Sequence, residues 1–256
     1  MTTKQTAPPV YAQEKYALED QFPEQPPRYD MQNSLYRERP GHLTALARHF
    51  GSPDTILVLG DIPVRHTFQR GLGPQMLRYP DVIVALGVDS AEVIARHGYA
   101  IDDQGKPPDF VLEIASPSTA LNDYTGKRVD YAAYGIPEYW RFDPTDGERY
   151  PAGLAGDRLV DGEYEPIAIH QTDEDRYWAH SDALNLDVCW ESGQLRWWDP
   201  VAQRYLLTHD EEAEARIATE AQRDAERQAR IAAETEAAEA QARIRQLEEE
   251  LRRRSQ

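Results

Sequence analysis

Four short apolar runs, TILVLG, IPVRHTF, DVIVAL and DFVLEIA, follow one another between residues 55 and 115. Each is β-branched or aromatic in character, too short for a stable helix, and bounded by Gly, Pro or Asp, so each predicts a strand. In PGHLTALARHF, just before them, Leu43, Leu46 and Ala47 return at helical spacing and predict a short helix ended by Gly51. After them, Asn122 or Asp123 is placed to cap a helix running to Tyr134, with Gly135 as its stop and Pro137 beyond. EYWRFDP reads as the next strand, and short strands continue to about residue 208, including a hairpin signal at Ser192-Gly193. Helix, several strands, helix, strand, further strands: this order predicts an α/β (α+β) domain with a mixed sheet flanked by helices.

The two ends differ from this pattern. Residues 1–33 are polar and punctuated by proline, which predicts a flexible arm. Residues 209–256 contain no Gly or Pro and consist almost wholly of Ala, Glu, Arg and Gln, so they predict one long helix. Within it Ala233, Ala237, Ala240, Ile244, Leu247 and Leu251 step by 4, 3, 4, 3, 4. That seam predicts a coiled coil and a homo-oligomer, a dimer, against the alternative of a solitary helix held by i,i+4 charge pairs. The domain between them spans 34–208.

Composition narrows the function. The formal charge of −17 argues against casual nucleic-acid binding, so a nucleic-acid partner must be reached through a local basic groove or a bound metal. The single cysteine, Cys189, precludes an internal disulfide, and the seven histidines form no zinc-type spacing. With no long apolar run and no leader pattern, the expectation is a cytoplasmic protein that does not enter a membrane.

Glu113 sets the chemical problem, because it falls in the middle of the apolar strand DFVLEIA, where an unpaired charge costs several kcal/mol. Alternation puts Phe110, Leu112 and Ile114 on one face and Val111, Glu113 and Ala115 on the other. Asp109 shares the Glu113 face but lies roughly 13 Å along the strand, too far to hold one ion with it. Asp81, which opens DVIVAL, is the better partner: if the two strands are neighbours, the carboxylates meet across about 5 Å of sheet. Such a pair repels unless a proton or a divalent cation intervenes, and oxygen ligands favour magnesium or manganese.

Lys127 is the one lysine inside a regular element, and it shares a helix face with Tyr124, Tyr131 and Tyr134. It is placed either to reach back toward Glu113 and a phosphate, or to snorkel with its stem on the tyrosine rings. Asp123 lies at i,i+4 from Lys127 and can orient it, although an N-cap role explains it more simply. Ser116 and Ser118 read as turn residues that could also bind phosphate, and His42 as a packing or capping residue. Trp140, Trp197 and Trp198 could stack bases, but core packing is the favoured reading.

YPDVIVALGVD, PPDFVLEIASPST, NDYTGKRVDYAAYGIPEYWRFDP and the Ala/Glu/Arg-rich tail together resemble the Uma-two family of restriction endonucleases, within the PD-(D/E)XK nuclease superfamily. The resemblance covers about residues 35–208. It implies a restriction-endonuclease-like α-β-β-β-α-β core, which agrees with the element order read from the residues. It also implies that Asp81 is the PD aspartate and Glu113 the acid of the second half-motif. The lysine expected two residues after Glu113 is replaced by Ala115, and Lys127 matches the superfamily members whose lysine has migrated to the following helix.

The resulting expectation is a magnesium- or manganese-dependent endonuclease cutting phosphodiester bonds, with DNA as substrate by resemblance. Asp81, Glu113 and the backbone carbonyl of Ile114 would hold metal, and Lys127 would stabilise the charged phosphate. The rival is a catalytically weak or inactive nuclease-fold interaction module that dimerises through its coiled tail. A carboxylate-pair glycosidase is a third reading, but it leaves Lys127 without a task.

Overall fold

The computed structural model describes residues 16–23, 42–71, 73, 77–116, 119–145, 147–173 and 176–254 of the chain. Most of the expected 1–33 arm, Pro117 and Ser118 lie outside the described residues. Two compact units are present, Met1–Thr208 and His209–Gln256.

In the first unit a 3-10 turn (Leu18–Asp20), with Phe22 buried just beyond it, precedes helix α1 (His42–Phe50) and strand β1 (Ile56–Leu59). Strands β3 (Val82–Leu86) and β5 (Phe110–Ile114) follow, and β6 (Glu138–Phe142), β7 (Leu154–Val160) and β8 (Glu163–Pro166) complete a six-stranded sheet in the order β1-β3-β5-β6-β7-β8. All neighbours are antiparallel except β5 and β6, which run parallel with Glu113 opposite Arg141. A parallel pair needs a crossover rather than a hairpin, and α4 (Ala120–Tyr124) with α5 (Gly126–Ala133) supplies it. The mixed-sheet α+β expectation therefore holds.

Alternation along the central strands produces two cores. Val82, Val84, Phe110, Leu112, Ile114, Trp140 and Phe142 face a second sheet, made of β9 (His170–Asp173), β10 (Arg176–Ser181), β11 (Leu186–Glu191), β12 (Gln194–Asp199) and β13 (Arg204–Tyr205). Trp140 and Trp197 are fully buried in this layer, which removes them as base-stacking platforms. The other face carries Ile83, Ala85, Val111 and Tyr139 against Tyr131 and Ile136 of the crossover. Each large apolar side chain so buried contributes roughly 1.5–3 kcal/mol, and both faces of β3, β5 and β6 are covered. The β11–β12 hairpin turns at Ser192 and Gly193, with φ of 47° and 80°, as the serine-glycine signal implies.

Two local expectations are corrected. IPVRHTF contributes only β2 (Val64–Arg65), which pairs in parallel with β4 (Tyr99–Ala100) outside the main sheet. Asp61, at φ 58°, and Pro63, which has no N–H, turn the chain out of the ladder. The helix expected from 122 or 123 to 134 begins earlier, at Ala120, and is interrupted at Thr125, where φ is −119° and ψ −86°. Two short helices unread in the sequence, α2 (Ser90–Arg96, capped by Asp89) and α3 (Ile101–Gln104), link β3 to β5.

The second unit is one helix, α6 (His209–Arg254), of 46 residues with none buried. No helix among the described residues is long and apolar enough to cross a membrane.

Candidate active site

The antiparallel register of β3 and β5 pairs Val82 with Leu112, so the next step along the ladder sets Asp81 opposite Glu113. Both carboxylates share the face of Ile83, Ala85 and Val111, which lies under the crossover. Asp81 does not continue the backbone ladder; its Oδ2 accepts the Ile114 N–H at 2.7 Å and ties the two strand ends together. In a strand the C=O of a residue points to the same side as its N–H, so the Ile114 carbonyl also faces the Asp81 edge.

The crossover delivers the cation. Lys127 Nζ lies 2.7 Å from Glu113 Oε2 and 2.7 Å from Asp123 Oδ1. Tyr131 donates its hydroxyl to Glu113 Oε1 at 2.7 Å, and Tyr150 donates to Asp123 Oδ2 at 2.5 Å. Lys127 therefore does not snorkel: its ammonium is bridged between two acids and the residue is 7% exposed, while Asp81 and Glu113 are each 1% exposed.

Asp123 departs from the N-cap expectation. It sits inside α4, whose N-cap is Thr119, and is fully buried with its carboxylate on Lys127. The interruption at Thr125 frees the Asp123 carbonyl, which accepts the Tyr139 hydroxyl at 2.7 Å. The i,i+4 spacing to Lys127 was the available signal, but burial decided between the two readings, and burial is not visible in a helix of mixed polarity. Tyr131 was legible as a face neighbour of Lys127. Tyr150 was not, because a loop tyrosine 27 residues from Asp123 has no spacing that points to it.

The electrostatics follow from the packing. Burial pushes the Glu113 carboxyl up to about 8; the Lys127 ammonium opposes this, while Asp81 and Asp123 add to it. Burial alone would lower Lys127, but the Glu113, Asp123 and Asp81 carboxylates outweigh it and raise the ammonium to about 12. Three buried acids thus face one cation, and with all of them ionised two negative charges remain unbalanced. A hard divalent cation would balance that excess, and oxygen donors of this kind are the ones magnesium or manganese takes. No group of three or more His, Cys, Asp or Glu among the described residues is placed to hold a metal ion. Magnesium sites commonly use one or two carboxylates, leaving the remaining positions to water and phosphate, so the donor set suits that ion.

The remaining candidates lie apart from these contacts. Ser116 hydrogen-bonds Thr119 through its hydroxyl at 2.8 Å, which is turn chemistry. Asp109 pairs with Lys106 at 2.7 Å, and His42 is buried at the start of α1.

The family model Uma2, described as "Putative restriction endonuclease", matches residues 43–189, more than half of the chain. This chain belongs to the Uma2 family. The Uma2 match contains Asp81, Glu113, Ile114, Asp123 and Lys127 and ends before α6. A solved structure similar to this Uma2 chain is that of "a putative nuclease belonging to DUF820 from Anabaena variabilis ATCC 29413", with 15% identity and a TM-score of 0.32, covering 51% of this chain and 67% of that one. No curated protein matches the chain.

Proposed function

We propose that this chain is a metal-dependent endonuclease that hydrolyses phosphodiester bonds of DNA. The observation that carries the reading is the meeting of Asp81, Glu113 and Lys127 at one strand edge, from three segments of sequence. Family membership supports the nuclease class. Asp81, Glu113 and the Ile114 carbonyl would hold magnesium or manganese, which when bound would neutralise the phosphate and make water more acidic. Tyr131 fixes the rotamer of Glu113 from one side and Lys127 from the other, so the carboxylate is oriented before substrate arrives. Lys127, raised to about 12, stays charged at neutral pH and serves as an electrostatic stabiliser rather than a base. Asp123 holds it in place, and Tyr150 holds Asp123.

Manganese titration calorimetry on the wild type, Asp81→Ala and Glu113→Ala, followed by plasmid nicking, tests the reading. Binding lost in both variants, with metal-dependent nicking that Lys127→Ala abolishes, is the expected result. Folded wild type that takes up no manganese would make Glu113 a structural carboxylate. A second reading, a nuclease-fold interaction module that dimerises through 209–256, is favoured by one observation: the acids and Lys127 are almost fully enclosed. That reading allows weak catalysis as well as none, so the result that counts against it is metal-dependent nicking abolished by Lys127→Ala.

A further inference from the structure

A phosphodiester that approaches three carboxylates needs a cation it can reach, and Lys127 is already engaged by Glu113 and Asp123. The loop joining β6 to β7 brings another. Its first residue, Asp143, gathers the loop around its carboxylate: Oδ1 accepts from the Thr145 N–H at 2.9 Å and hydroxyl at 2.6 Å. Oδ2 accepts from the N–H groups of Gly147, Arg149 and Tyr150 at 3.2, 2.9 and 2.8 Å. Burial opposes ionisation of Asp143, but these hydrogen bonds outweigh it and hold the carboxyl below its usual range. At the far end of the loop Tyr150 packs its ring on Tyr124, centroids 5.1 Å apart, and bonds Asp123.

Arg149 stands between these two anchors. It donates Nη1 to the Ala115 carbonyl at 3.1 Å, at the end of β5 and two residues beyond Glu113, a distance of about 7 Å along the strand. Arg78, Arg96, Arg128, Arg141 and Arg158 each pair with a carboxylate. Arg149 has no such pair among the described residues and is only half-buried. One N–H of its fork is fixed on backbone, and the other donors are uncommitted, beside a site with surplus negative charge.

We propose that Arg149 contacts the substrate phosphate, taking its non-bridging oxygens with the donors that Ala115 leaves unused. The inference rests on the nuclease reading and names a protein cation that, beside the metal of that reading, would hold the substrate phosphate. A guanidinium suits the task because it stays charged and binds phosphate through two parallel N–H bonds.

The test compares wild type, Arg149→Ala and Arg149→Lys for binding to a fluorescent DNA duplex over a range of salt, plasmid nicking with manganese, manganese affinity and melting temperature. For Arg149→Ala the expected result is a loss of about ten- to a hundredfold in kcat/KM, carried mainly by KM, with manganese affinity and melting temperature unchanged. The slope of log affinity against log salt should fall by about one. Arg149→Lys should restore the slope and part of the affinity. Wild-type behaviour of Arg149→Ala overturns the proposal and leaves the nuclease reading standing. So does a variant that loses melting temperature and manganese affinity together with activity, since Arg149 would then be a clamp on the loop. A wild type that neither binds nor nicks DNA overturns both, and is recognised before the variants are compared.

Discussion

Glu113 is the residue on which two kinds of selection pull in opposite directions. A carboxylate in the middle of a buried strand is costly, and Lys127 and Tyr131 offset only part of that cost, so its proton is held up to about pH 8 against about 4.5 in an unfolded chain. Between those pH values the folded, metal-free protein keeps a proton that the unfolded chain has lost. Stability contributed by this group is therefore complete below about pH 4.5 and lost as pH rises toward 8. Urea unfolding of metal-free wild type and Glu113→Gln should give a difference between the two that grows in favour of the variant from pH 5 to pH 8, on the order of a few kcal/mol. Parallel stability curves would mean that Lys127 keeps Glu113 ionised throughout.

At the scale of elements, the strands that carry the site are held in register with β6 and β7 by close packing. Gly156 in β7 lies opposite Trp140, and a Cβ there would sit 2.9 Å from the Trp140 ring, which is wholly buried and has no room to move. Gly156→Ala should therefore lower stability by roughly 1–3 kcal/mol, measured by thermal or chemical denaturation. A neutral substitution would show that the sheet yields locally. The interrupted crossover is the second element-level device. Its break at Thr125 lets Tyr139 take the Asp123 carbonyl while the Asp123 carboxylate still reaches Lys127.

The whole molecule combines a compact unit with a 46-residue helix that has no buried residue of its own. Ile244, Leu247 and Leu251 on that helix are exposed, and we propose that a second copy covers them in a parallel coiled coil. In that register Arg243 of one helix faces Glu248 of the other, an attractive pair made twice by symmetry. The full chain should sediment as a dimer and the double variant Leu247→Glu, Leu251→Glu as a monomer. The melting temperature of the 1–208 unit should stay the same in both. A wild-type monomer at micromolar concentration would remove the coiled coil.

The residues of DVIVAL, DFVLEIA and EYWRFDP determine their strands by themselves, because β-branched runs bounded by Gly, Pro or Asp have few other outcomes. The same is true of the tail, where 48 residues without Gly or Pro leave little but helix. A carboxylate inside such a strand also marks its own strangeness, which is why Asp81 and Glu113 were legible as a pair, whereas Lys127 was tied to them firmly only by the family resemblance. Local pattern could not decide whether Asp123 caps a helix or holds a lysine, where the crossover breaks, or that IPVRHTF leaves the main sheet. Nor could it bring Tyr150 and Arg149 to the end of β5. Those outcomes depend on which polar groups lose water and find each other across 16 to 34 residues of chain, and only the packed structure settles that.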